Sequence, residues 1–116
     1  MNIAQIILWI CFAAFSIPSF IFGFRKIILQ KEMIIKFHNW GYHTYFMWLI
    51  GLIEMVISIA VLFTTTRNGS LYIYFILLIG ALYTHIKAKD SKKDTMAPIF
   101  VFLLSTIIFI FSNYFL

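Results

Sequence analysis

The sequence predicts an all-α, polytopic membrane protein, one four-transmembrane-helix bundle over residues 1–116, and three observations lead there. Hydrophobic residues make up 63% of the chain and charged ones 11%, whereas soluble domains carry about 25% charged residues. A soluble chain of 116 residues could not hide so much apolar surface, since small domains leave much of theirs wet. The expected solvent is therefore lipid. The charges also collect between four apolar runs, each near the ~20 residues needed to cross ~30 Å of hydrocarbon. Inside those runs apolar and polar residues do not alternate as barrel strands require, so helices, which satisfy their own backbone groups, are the expected spans.

The first span is expected over residues 3–24. Its start, Met1-Asn2-Ile3-Ala4-Gln5, has no Lys or Arg, so it lacks the basic head of a cleaved signal peptide and the helix is expected to be retained. Pro18 is expected to kink it, because proline removes a backbone bond. Ser16, Ser19, Gly23 and Lys26 share one helix face by their spacing. After this span, residues 31–37 mix apolar and basic side chains, which predicts a short amphipathic turn in the headgroup layer. Phe37-His38-Asn39-Trp40-Gly41-Tyr42-His43 then supplies interfacial aromatics.

Span two is expected over residues 46–63, with Gly51, Glu54 and Ser58 on one face. Span three, residues 71–86, is the shortest, and it puts Thr84 and His85 near an interface with Gly80 aligned below them. Span four, residues 98–116, carries Ser105 and Ser112 a heptad apart. Asp94 or Thr95 is its expected cap, with Pro98 in the first turn. Small and weakly polar residues at these spacings let helices approach closely and bond across the interface. No span repeats another, so a transporter built from internal repeats is not indicated.

Lysine and arginine set the expected orientation. Arg25, Lys26, Lys31 and Lys36 lie between spans one and two, Lys87, Lys89, Lys92 and Lys93 between spans three and four, and Arg67 alone on the opposite side. Basic loops stay in the cytoplasm, so the chain is expected in the cell (plasma) membrane with both termini outside. The net charge of +5 then reads as topology and contact with anionic lipid. Nucleic acid is not an expected partner, because the basic residues are not interleaved with stacking aromatics in a soluble module. Cys11 is the sole cysteine; it permits no intrachain disulfide or dithiol cycle and reads as a packing residue. His38, His43 and His85 lack ligand spacing, so no metal site is expected. No catalytic constellation is visible either, and enzymatic activity stays open.

Glu54 demands an explanation. It stands eight residues past Phe46, roughly 12 Å into the span at 1.5 Å per residue. A carboxylate there costs about 2.5–3.5 kcal/mol on insertion scales, so it must be protonated, paired or hydrated. Lys26, His85 and the hydroxyls of Ser16, Ser58 and Thr84 are the candidates to meet it. Lys26, Glu54, Ser58, Thr84 and His85 thus form the expected buried polar cluster. Two readings of it stay open. One is a clasp that fixes helix register; the other is a pocket, open to the cytoplasmic leaflet, that binds a ligand or passes a proton. The pocket reading expects Glu54→Gln to fold without activity.

The order of these pieces resembles the DoxX-like family of small membrane proteins. Gly23-Phe24-Arg25-Lys26 is similar to its G-x-x-K at the end of helix one, and Phe37 to Tyr42 to its F-x-x-x-G-Y element. Gly51-Leu52-Ile53-Glu54 is similar to its G-x-x-E in helix two. Ala81-Leu82-Tyr83-Thr84-His85, then Asp90 and Pro98, resemble its A-x-x-T-H, acidic residue and proline. His43 departs from the pattern, standing where the family often has proline, which leaves the start of span two open. The resemblance covers nearly the whole chain and singles out Lys26, Gly51, Glu54, Thr84, His85 and Pro98. It implies a four-helix membrane protein of a kind sometimes linked with quinone or thiol redox systems, with distant relatives acting in membrane assembly. Three readings follow. In the first the protein is redox-associated and binds a quinone-like or other lipid-soluble ligand, whose oxygens Glu54, Thr84 and His85 would hold. In the second it is an accessory protein that packs against a membrane partner or another copy of itself. The third, suggested by chain length, four spans and one buried glutamate rather than by the resemblance, is a small proton-coupled exporter.

Overall fold

The computed structural model describes residues 2–114 and is helical throughout, with no strand among them. Its helices are α1 (Ile3–Ile27), α2 (Lys31–Asn39), α3 (Thr44–Ala60), α4 (Thr64–Lys87) and α5 (Lys92–Tyr114). Residues 115–116 of the expected fourth span lie outside the described residues. Helices α1, α4 and α5 are each long and apolar enough to cross a membrane. Helix α3 has 17 residues, about 26 Å of rise, and follows α2 across a bend of 115°.

Four helices close into a ring in which α1 packs on α3, α3 on α4, α4 on α5 and α5 back on α1, the α1–α3 contact being the most extensive. The diagonal is filled by side chains of α1 and α4. Phe15 meets the Tyr74 ring at 4.8 Å, and the Ser19 and Tyr74 hydroxyls share a 3.4 Å hydrogen bond. Phe12, Ile57, Val61, Leu71 and Ile108 complete that core. Outside it, Trp9, Ile10, Ile17, Ile76, Ile79 and Phe100 are exposed. A surface as apolar as the interior is what a lipid solvent allows and water does not.

Helix ends explain where the spans stop. Asn2 and Gln5 form a reciprocal capping box at the start of α1, with Oδ1 of Asn2 accepting from the Gln5 amide at 2.8 Å. The helix then continues through Pro18. At the basic end three helices finish in the same way. The amide five residues on closes back onto the last turn, Gln30 to Arg25 carbonyl at 3.0 Å, Tyr42 to Phe37 at 2.9 Å and Asp90 to His85 at 3.0 Å. Each such closure needs a left-handed residue, supplied by Leu29 (φ 58°), Gly41 (φ 87°) and Lys89 (φ 56°). Next, His43 caps α3, its Nδ1 accepting from the Tyr45 amide at 3.0 Å. The residue that departs from the family pattern thus does the work of a helix start.

Several expected boundaries shift. Helix α2 is a full nine-residue helix rather than a turn. Helix α4 begins at Thr64, seven residues before the expected start, because its polar first turns bond to neighbours. The Thr66 hydroxyl donates to the Ala60 carbonyl at 2.6 Å, and Arg67 Nε donates to the Val61 carbonyl at 2.9 Å. Asn68 and Asn113 exchange amide hydrogen bonds of 3.0 Å, tying the start of α4 to the end of α5. Helix α5 begins at Lys92, so neither Asp94 nor Thr95 is its cap. Ser91 takes that place, accepting from the Asp94 amide at 3.2 Å, and Pro98 falls inside the helix. The hydroxyls of Ser58, Ser70, Thr84, Ser105 and Ser112 donate to carbonyls of their own helices. Such back-bonding satisfies the hydroxyl without a neighbouring helix, so the four serines contribute to packing mainly by being small, whereas Thr84 also bonds Tyr42.

Arg67, read from sequence only as the lone basic residue of its side, also donates to the Leu62 carbonyl at 3.3 Å and lies 4.5 Å over the Phe12 ring. Removing it strips the Val61 and Leu62 carbonyls, just past the end of α3, of that donor. We expect Arg67→Ala to lower stability by about 1–3 kcal/mol, read from thermal unfolding in detergent, with Arg67→Lys recovering part of the loss.

Candidate functional site

Lys26 and Glu54 meet because two glycines bring their helices into backbone contact. A Cβ added at Gly23 would sit 2.7 Å from the Gly51 carbonyl oxygen, and one at Gly51 would sit 2.7 Å from both the Gly23 oxygen and Lys26 Cβ. The helices run in opposite directions, and helix side chains lean toward their own N-terminus. Lys26 therefore leans from the end of α1 into the bundle, while Glu54 leans toward the basic end. Lys26 lays its stem over Gly51, and its Nζ donates to Glu54 Oε1 at 2.5 Å. Both side chains are only 12% exposed. Lysine near a helix end usually snorkels outward; this one reaches inward.

Thr84 and His85 lie apart from this pair, linked to it through aromatic rings. Phe37 stands 5.9 Å from Lys26 Nζ, and its ring neighbours are Trp40 at 5.1 Å and Tyr42 at 6.1 Å. The Tyr42 hydroxyl bonds the Thr84 hydroxyl at 2.7 Å, and Thr84 in turn donates to the Gly80 carbonyl at 2.9 Å. His85 Nδ1 bonds Asp90 Oδ2 at 2.6 Å, and Trp40 Nε1 donates to that same oxygen at 3.0 Å. Trp40 also sets its ring edgewise on His85 at 5.1 Å. Of the groups expected to meet Glu54, Lys26 bonds it, whereas His85 is taken by Asp90 and Thr84 by Tyr42.

Ser58 is one turn from Glu54, its hydroxyl donating to the Met55 carbonyl at 2.7 Å. It borders an open groove of about 270 Å³ between α1 and α3, together with Ser16, Phe20 and Leu62. The Ser16 hydroxyl is buried and has no hydrogen-bond partner among the described residues. A second open groove, about 200 Å³, lies between α4 and α5 beside Leu78, Pro98 and Phe102. Neither groove is lined by Lys26, Glu54, Thr84 or His85. No group of three His, Cys, Asp or Glu residues able to hold a metal occurs among the described residues.

Sequence reasoning missed Trp40 and Tyr42 as partners of His85, Asp90 and Thr84. They were legible only as interfacial aromatics, because the turn that carries them to α4 depends on tertiary contact.

Neither the curated proteins nor the solved structures contain a match to this chain. A model of the DoxX-like family matches residues 5–108, a stretch that takes in the Lys26–Glu54 pair, Ser58, and the Thr84, His85 and Asp90 cluster. The chain belongs to the DoxX-like family.

Proposed function

We propose that this DoxX-like protein lies in the cell membrane with its basic loops in the cytoplasm and both termini outside. In this reading it is redox-associated and takes a quinone-like or other lipid-soluble ligand at the polar cluster around Glu54. The observation that supports this is the chain of groups at the basic end. An ion pair, a hydroxyl pair and a His–Asp pair are joined through the rings of Phe37, Trp40 and Tyr42. Small-molecule sites are mostly apolar with a few placed polar groups, and here Thr84 and His85 would meet the ligand's oxygens. Native mass spectrometry in nanodiscs tests the reading: we expect a retained small molecule, lost in a folded Glu54→Gln or Thr84→Ala variant. Protein that is empty and does not change its melting temperature with added quinone would count against it.

A second reading has its own support. Glu54 is paired with Lys26 through Oε1, as in a clasp that fixes helix register, and a bundle so held would serve as an accessory protein packed against a membrane partner or a second copy. Cross-linking in native membranes that recovers one defined partner, unaffected by Glu54→Gln, would favour it. The exporter reading has the least support, since a carboxylate bound to an ammonium is a poor proton carrier; proton-dependent efflux from vesicles, lost in Glu54→Gln, would revive it.

A further inference from the structure

We infer that α2 and the Trp40-Gly41-Tyr42 turn after it form a hinged strap over the Lys26–Glu54 pair, latched to the end of α4, whose release opens the pair to water on the basic side. The strap has the parts such a device needs. Phe37 covers the Lys26 ammonium at 5.9 Å, and Phe37, Met33 and Met47 form a small buried cluster separate from the main core. Left-handed residues bracket the helix, Leu29 before it and Gly41 after it. Each is a place where the chain turns sharply between two helices, and the backbone bonds that close these turns, Gln30 to Arg25 and Tyr42 to Phe37, are local to them.

Helix α2 itself packs only on α1 and α3. Its connection to α4 is made by two side chains just beyond it, Trp40 on Asp90 at 3.0 Å and Tyr42 on Thr84 at 2.7 Å. His85 holds Asp90 in place to receive the indole. At the other end Arg25 bonds Gln30 and, at 3.4 Å, the exposed Glu32, an ion pair that surface screening makes weak. A nine-residue helix held by its own buried Met33 and Phe37 against Met47 of α3 is a unit that opens locally before the bundle does. The gate is independent of the ligand reading: it would operate whatever enters, and the test uses no ligand.

Met47 lies under the strap with none of its surface exposed, so a thiol placed there reports opening. In a Cys11→Ser, Met47→Cys background in nanodiscs, labelling by a charged, membrane-impermeant thiol reagent should be slow. Adding Trp40→Phe and Tyr42→Phe, which leave an aromatic ring at each position and remove both latch bonds, should speed it roughly ten-fold. Equal rates with and without the latch overturn the proposal. Should Met47→Cys fail to fold, hydrogen exchange of the natural chain and of Trp40→Phe/Tyr42→Phe decides instead. Faster exchange confined to residues 31–39 supports the strap; no change, or a uniform change across all helices, sinks it.

Discussion

Lys26→Met should destabilise the bundle by about 3–5 kcal/mol, because it keeps the stem over Gly51 yet leaves the Glu54 carboxylate buried without its counter-charge. Glu54→Leu should cost a similar amount by stranding the ammonium. The combination Lys26→Met/Glu54→Leu should recover most of either loss, since replacing a buried pair by apolar groups of like size is often neutral. Glu54→Gln should fall between, as the amide still accepts a hydrogen bond. Both side chains are only 12% exposed, and the pair is closed at 2.5 Å. Unfolding in mixed micelles, followed by helical circular dichroism, gives the cycle. Additive losses in the double variant would show that the two charges do not depend on each other. The same variants also separate the two functional readings. A Lys26→Met/Glu54→Leu protein that folds, keeps its partner and has lost nothing is a protein in which the pair was only a clasp.

The glycines provide the second large effect, and they divide sharply. Gly23→Ala or Gly51→Ala places a methyl 2.7 Å from a backbone oxygen of the facing helix. Backbone cannot step aside as a flexible side chain can, so α1 and α3 must separate. Overpacking of this kind costs about 1–3 kcal/mol for the methyl alone, and the widened gap also pulls Lys26 away from Glu54. Gly80→Ala meets nothing within 4 Å and should be neutral or stabilising by about 0.5–1 kcal/mol, the ordinary gain on replacing glycine inside a helix. Melting temperatures of the three single variants in one detergent check the ranking; a Gly80→Ala that melts as early as Gly51→Ala would contradict it.

That contrast shows where the sequence stopped being informative. Gly23, Gly51 and Gly80 all stood one turn from a polar residue and looked equivalent, yet only the first two face one another. The Lys26–Glu54 pair was foreseeable because charges are so rare in these apolar runs that each one in a span needs a partner, and Lys26 was among the few groups in reach. The His85–Asp90 bond was harder to read. It spans five residues across a helix end that turns at Lys89, and without glycine there the stop signal was absent. Leu29 hid the end of α1 in the same way. The early start of α4 was missed because Thr64 to Ser70 looks like a polar loop, and only its bonds to Ala60, Val61 and Asn113 make it helical.

The inward reach of Lys26 also bears on how the protein is made. Its counter-ion is 28 residues downstream on a different helix, so the ammonium has no partner in the bilayer before α3 docks on α1. During that interval a lone ammonium is cheapest at the headgroups, and α1 rests with its basic end drawn up to the surface. The pair can therefore close only with the docking of α3 on α1, and the depth of the basic end of α1 is tied to that contact.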